Sequence, residues 1–320
     1  MPRLDDDFRP AAGLSDGHAQ TVFGAVARRP LPLPVRRERL ETPDGDFVDV
    51  DVVDARAGAP TVLVLHGLEG STRSGYVQQV LAGLSARGWG GVALNFRGCS
   101  GVPNRQAASY SSGDVRDARW LLARLPEPKA AVGFSLGGSV LLNLLAKDGE
   151  ATGVFAAAAV STPYDLSWGA RFLDSQERFA RVYLHNFLPT LKAKALEKAA
   201  RFPDVLDAGA IRASRTMRDF DHVVTARLFG FASAEDYYAQ CSTGPKLSRV
   251  TTPTLLVSAE DDALAPAANL PADAHRRDAL HVLRTTAGGH VGYVAGSVLR
   301  PRFWAEAKVL SWLEARWRSA

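Results

Sequence analysis

Ser135 lies between two glycines in Gly133-Phe134-Ser135-Leu136-Gly137, behind the apolar run Ala130-Ala131-Val132 and ahead of a stretch with helical spacing. A serine on a tight turn between a strand and a helix forms a nucleophile elbow. The strained turn projects the hydroxyl from the end of a sheet, and the crowded backbone leaves room only for glycine at the flanking positions. A serine hydroxyl is a weak nucleophile at neutral pH, so it needs a base within hydrogen-bond reach and a third group to orient that base. Along chains built this way the order is serine, acid, histidine. Two carboxylates compete for the acid, Asp261 and Asp262 in Ser258-Ala259-Glu260-Asp261-Asp262-Ala263-Leu264-Ala265-Pro266. Asp262, four residues before Pro266, has the spacing expected after a late strand and is preferred. His290 follows in the glycine-flanked loop Ala287-Gly288-Gly289-His290-Val291-Gly292, from which a ring can reach across to a serine on another strand. The expected chemistry is acyl transfer, with Ser135 attacking a carbonyl, His290 moving its proton, and Asp262 holding the imidazole.

A tetrahedral intermediate also needs donors for its oxyanion. The backbone N–H of Leu136, the residue after the nucleophile, is one candidate. The N–H of Leu68, in the loop His66-Gly67-Leu68-Glu69-Gly70, is the other. His66 opens that loop and reads as a packing and hydrogen-bonding residue rather than a second base. His18, His185, His222, His275 and His281 have no metal-ligand spacing, and no metal or organic cofactor is expected. Cys99 and Cys241 form neither a C-x-x-C pair nor a zinc pattern, which fits a reducing compartment.

These groups need a scaffold. Pro60–His66 and Gly91–Phe96 read as strands buried on both faces, and Phe47–Val53 as a strand with one buried face. Lys129–Phe134 leads into the elbow, and Gly153–Val160 follows its helix. Helical spacing at Tyr76–Arg87, Asp114–Leu125 (with Ser111 or Ser112 as cap) and Leu136–Ala146 alternates with them. The order is that of a doubly wound, mostly parallel sheet with helices on both faces. The rhythm breaks at 163–249, which is helical in pattern and aromatic-rich, with one stripe at Phe179, Val182, Tyr183, Phe187 and Leu191. Strand patterns return at Thr254–Ser258 and Leu280–Leu283, and Phe303–Trp317 is a closing amphipathic helix. An interruption of roughly 85 residues is too long for an ordinary loop and points to a cap. The expected organisation is an irregular N-terminal arm at 1–40, a core at 41–162 and 250–320, and a helical cap at 163–249. Pro30, Pro32 and Pro34 suggest that the arm is extended.

The 320 residues, 46% hydrophobic and 22% charged, suit one large domain with an insertion. The net charge of +4 and the absence of a long like-charge block argue against nucleic-acid binding. The densest basic segment, Arg36, Arg37 and Arg39 near Arg28 and Arg29, reads as a solvated arm, and a peripheral membrane contact stays open. Met1–Pro10 is charged and lacks the apolar centre of a signal peptide, and no apolar run is long enough to span a bilayer, so the expected location is the cytoplasm.

The chain resembles the YheT-type branch of the α/β hydrolases. The resemblance is carried by His66-Gly67-Leu68-Glu69-Gly70-Ser71, Phe96-Arg97-Gly98-Cys99-Ser100-Gly101 with Pro103-Asn104-Arg105, the elbow, and Gly288-Gly289-His290-Val291-Gly292. It extends to His18-Ala19-Gln20-Thr21 and to the segment from Phe220-Asp221-His222 to Cys241-Ser242. It implies an α/β-hydrolase fold with a helical cap and a Ser135–Asp262–His290 triad. Relatives in this branch include carboxylesterases, lipid hydrolases and alcohol acyltransferases. The expectation is therefore a serine esterase acting on short- to medium-chain acyl esters. An alcohol O-acyltransferase using the same triad, and a non-catalytic ligand-binding scaffold, remain as alternatives. Serine at the elbow disfavours a dehalogenase or epoxide hydrolase with an Asp nucleophile.

Overall fold

The computed structural model describes residues 7–29, 31 and 33–319. Pro30 and Pro32 of the extended-arm reading lie outside them. Among the described residues, that arm is not irregular throughout. It contains a helix, α1 (Gly17–Ala27), whose N-cap Asp16 accepts a hydrogen bond from the backbone N–H of Ala19, and a strand, β1 (Arg36–Glu41). Gly17, Gln20 and Gly24 of α1 and its C-cap Arg28 are buried, and the polar members are held by hydrogen bonds beside the apolar packing of Ala19 and Phe23, so a hydrophobicity reading misses this face.

The chain continues through β2 (Phe47–Val53), β3 (Thr61–Leu65), α2 (Gly75–Arg87), β4 (Gly90–Leu94), α3 (Arg116–Leu122), β5 (Lys129–Phe134), α4 (Leu136–Asp148) and β6 (Val154–Val160). After a long helical segment come β7 (Thr254–Ala259) and β8 (Leu280–Thr285). One eight-stranded sheet results, in the order β1-β2-β4-β3-β5-β6-β7-β8. The β1–β2 and β2–β4 pairs are antiparallel and the rest are parallel. Strand side chains alternate between two buried layers: Leu63 and Leu65 face α3 and α4, while Val62 and Val64 face α2 and the C-terminal helix Trp304–Ser319. That alternation between two covered faces is why β3 reads as an unbroken apolar run.

Three local readings change. β2 is covered on both faces, not one. Asp49 and Asp51 are buried because Arg39 and Arg37 of β1 stand directly opposite and grip them at 2.8 and 2.6 Å. The basic segment is thus an ion-paired edge strand, and Arg28 is buried beside Glu306 at 2.7 Å. Helix α3 begins at Arg116 behind Val115, so Ser111 and Ser112, both buried, do not cap it.

Between β6 and β7 the described residues form helices and no strand. These are α5 (Leu166–Leu173), α6 (Arg178–Arg201), α7 (Ala208–Ala213), α8 (Met217–Phe220), α9 (Ala226–Phe229) and α10 (Ala234–Cys241). A π-helical turn, Asp221–Thr225, separates α8 from α9. The layer has its own apolar cluster, centred on Tyr183, Leu188, Leu191, Ile211 and Phe220. The proposed α6 stripe divides: Tyr183 and Leu191 are buried, whereas Phe179 and Val182 are exposed. Three cations on α6 tie the layer to the sheet domain. Lys194 pairs with Glu69 at 2.9 Å, Lys198 donates to the carbonyls of Gln106 and Ala108, and Arg201 donates to that of Asn104. No helix among the described residues is long and apolar enough to cross a membrane.

Candidate active site

The strand order decides where a site can form. The chain leaves β3 for β4 on one side, then crosses back to β5 on the other, so adjacent connections run apart at the carboxyl ends of β3 and β5. Such a divergence opens a crevice. The loops after those two strands are Gly67–Gly70 and the turn at Ser135.

Ser135 has φ 51° and ψ −121°, a conformation costly for a residue with a side chain. Neighbouring backbone enforces it. A Cβ on Gly133 would lie 2.4 Å from the Gly137 carbonyl oxygen, and one on Gly137 would lie 2.5 Å from the carbonyl oxygens of Leu65 and His66. The Ser135 N–H is fixed to the Val160 carbonyl at 2.9 Å.

The other groups arrive from the ends of β7 and β8. His290 Nε2 is 2.8 Å from Ser135 Oγ, and its Nδ1 is 3.0 and 3.1 Å from the two carboxylate oxygens of Asp262. Asp262 is 1% exposed, and its Oδ1 also accepts from the N–H groups of Leu264 and Ala265. With the ring proton on Nδ1 facing the carboxylate, Nε2 is left to accept from the serine hydroxyl. Asp261 points elsewhere: its Oδ1 accepts from the Gly289 N–H at 2.8 Å, and burial pushes its carboxyl up from the ordinary range.

The Gly67–Gly70 loop lies against the elbow, with a Cβ on Gly67 falling 3.1 Å from Ser135 Cβ. Its N–H groups are partnered with one exception among the described residues. Gly67 donates to Tyr76 OH at 2.9 Å and Glu69 to Tyr110 OH at 3.0 Å, while Leu68 between them has no hydrogen-bond partner among the described residues. Leu136, at the start of α4, is likewise without one, as expected for a first-turn N–H. His66 is fully buried. Its Nδ1 donates to the Gly67 carbonyl at 2.7 Å and its Nε2 accepts from the Phe96 N–H at 3.1 Å, so the ring fixes the loop's entry. Burial pulls its pKa down to about 4, which keeps it neutral.

A cavity of about 160 Å³ opens onto Ser135 and His290. Leu68 and Leu136 line it from the sheet domain; Leu173, Phe187, Leu191, Phe220 and Val224 line it from the helical layer. Its polar wall carries Glu69, Lys194 and Asp221. Asp221 accepts from Thr225 Oγ1 at 2.6 Å and from Tyr238 OH at 2.8 Å, and burial raises its pKa to about 6. Cys99 is buried, its thiol pushed up to about 11 by burial, and it lies under Lys194 at 3.6 Å. Among the described residues no group of three or more His, Cys, Asp or Glu side chains could hold a metal ion.

Sequence reasoning missed Tyr76, Tyr110 and the Glu69–Lys194 pair. Their partners lie up to 125 positions away, and no local pattern links them. His18 on α1 reaches the helical layer. Its Nδ1 is 2.9 Å from Tyr183 OH, and its ring stacks on Phe179 at 4.0 Å, both on α6.

Residues 60–296 match the family model of the alpha/beta hydrolase fold. The chain is also 40% identical to YheT of Escherichia coli (strain K12), a protein put forward as an esterase, over 96% of this chain and 93% of that one. The chain belongs to the YheT-type α/β hydrolases. This hydrolase is also 27% identical to the phospholipase ABHD3 of Mus musculus, over 92% of its own length and 75% of that protein's. Among solved structures, the Pyrococcus furiosus esterase Pf2001 shares the fold with a TM-score of 0.55 at 16% identity, covering 99% of this chain and 98% of that one. The family is thus one of esterase- and lipase-type hydrolases.

Proposed function

We propose that this hydrolase cleaves carboxylic esters with short- to medium-chain acyl groups through an acyl-serine intermediate. The observation that carries the reading is the unbroken contact from Asp262 through His290 to Ser135 Oγ. Ser135 Oγ attacks the acyl carbonyl carbon while His290 Nε2 takes its proton. The N–H groups of Leu68 and Leu136 receive the oxyanion, each such donor typically contributing about 3 kcal/mol of transition-state stabilisation. Asp262 stabilises the imidazolium. His290 returns the proton to the departing alkoxide, leaving Ser135 acylated. Water then enters, His290 removes one of its protons, and collapse of the second intermediate releases the acid and restores the hydroxyl.

Residues 163–249 act as the cap that shapes the acyl site, since the apolar wall opposite Ser135 comes from them. No metal or organic cofactor takes part. Two free, buried cysteines suit the cytoplasm. The test is a fluorophosphonate probe followed by location of the adduct, with turnover of an ester panel that includes a phospholipid, because one relative is a phospholipase. Labelling at Ser135 and release of free acid are expected. A folded protein left unlabelled there would sink the mechanism. Product partition in added ethanol separates hydrolysis from acyl transfer: mostly acid favours the esterase, mostly ethyl ester the transferase.

A further inference from the structure

The histidine loop is not held in place by the sheet alone. Two successive N–H groups at its tip are taken up by side chains: Gly289 donates to Asp261 Oδ1 at 2.8 Å, and His290 donates to Thr21 Oγ1 at 2.8 Å. Thr21 passes its own proton to the Gly17 carbonyl at 2.7 Å, so its hydroxyl is oriented with a lone pair toward His290. The helix also sits too close for ordinary residues. A Cβ on Gly17 would fall 2.2 Å from the Asp261 carbonyl oxygen, and one on Gly289 would fall 2.1 Å from the Gly17 carbonyl oxygen. Further along the same face, the Arg28 guanidinium donates to the carbonyls of Val291 and Gly292 at 2.9 Å each. Gly17, Thr21, Gly24 and Arg28 recur at helical spacing and form one stripe turned to this loop. The loop needs such support, because Val291 sits at φ 56° and Tyr293 at φ 45°, conformations that persist only where surroundings over-determine them.

We infer that α1 is a brace for the catalytic histidine, with Thr21 and Asp261 as positioning residues that set the His290 backbone. Neither touches the reacting atoms. They act by holding Nε2 in line with Ser135 Oγ, where a misplacement of about 1 Å can cost on the order of a hundredfold in rate. The inference rests on the serine-esterase reading above.

Thr21→Val keeps the shape of the side chain and removes the acceptor. It is expected to lower kcat at least about tenfold, with KM within about twofold and fluorophosphonate labelling of Ser135 slowed in parallel. Thr21→Ser, which restores the hydroxyl, is expected to recover most of the turnover. Asp261→Asn, which keeps an oxygen for Gly289, should stay near wild type, whereas Asp261→Ala should lose turnover. A wild-type kcat in folded Thr21→Val, or a Thr21→Ser as slow as Thr21→Val, overturns the brace. If Thr21→Val does not fold, the Asp261 pair decides: equal rates in Asp261→Asn and Asp261→Ala overturn it. Ser135→Ala run alongside separates the two readings. An inactive Ser135→Ala with a full-rate Thr21→Val refutes only the brace. An active Ser135→Ala refutes the esterase reading and the brace with it.

Discussion

The sheet domain and the helical layer build the same cavity by different means. All five non-glycine residues with positive φ among those described, Glu69, Ser135, Ser161, Val291 and Tyr293, sit in sheet-domain loops beside the site, and none is in the helical layer. Each such position costs about 1–3 kcal/mol and is retained where surroundings enforce it. The layer from α5 to α10 instead rests on ordinary helices packed on an apolar cluster and three long cations. The difference teaches that precision is concentrated at the strand ends, where reacting groups must meet within tenths of an ångström. The layer supplies most of the cavity's apolar wall, a task that tolerates looser construction.

The sharpest test of that division is Ser135→Ala. Ester turnover is expected to fall by about a millionfold while the circular dichroism spectrum stays that of the wild type. Retained turnover would move the chemistry off the elbow altogether. Next comes the acid pair. Asp262→Asn should cost about 10⁴ in kcat through loss of the correct histidine tautomer. A larger loss in Asp261→Asn than in Asp262→Asn would exchange the two roles.

The regions should also answer pH with opposite signs. His66 in the sheet domain titrates at about 4 against an ordinary 6.5, so the folded state binds fewer protons than the unfolded chain between those values. Its contribution is complete above pH 6.5 and is lost as pH falls toward 4, roughly 3 kcal/mol in all. Asp221 in the helical layer titrates at about 6 against 3.8, so the folded state binds more protons in that interval. Its carboxylate is a burden above pH 6, relieved by roughly 3 kcal/mol as pH falls to 3.8. Urea unfolding from pH 8 to pH 4 checks both. Asp221→Asn should gain most stability at pH 8, about half as much at pH 5 and little at pH 4, and His66→Asn should flatten the acid limb. The same slope in wild type and both variants would remove the contrast.

The smallest expected effect is in the layer. Leu191→Ala enlarges the cavity wall and should shift the preferred acyl length by one or two carbons, a change of about tenfold in relative kcat/KM with labelling by a small probe unaltered. If the change slowed every ester equally, the layer would be contributing to the chemistry and the division would fail.

Much of the sheet domain is legible because its signals are local. Val62–Leu65 is apolar at every position since both faces are covered, and the elbow glycines answer contacts within a few residues of Ser135 and with the adjacent strand. Helix α1 is not legible that way. The side of α1 and its C-cap turned to the core carries Gln20, Thr21 and Arg28, which bond to carbonyls and N–H groups of residues 290–294. Polar residues with such distant partners read as solvent-facing. Phe179 and Val182 mislead in the opposite direction, apolar yet exposed.

By itself, the sequence determined that this chain carries a serine elbow, a carboxylate pair and a glycine-flanked histidine in hydrolase order. Short-range sterics and chain order suffice for that. Only the tertiary structure decided that Asp262 and not Asp261 faces His290, because neighbouring side chains leave a loop in different directions. It alone assembled Leu68 beside Leu136 and set Thr21 under His290. Those meetings depend on how β3, β5, β8 and α1 pack, and no spacing along the chain encodes them.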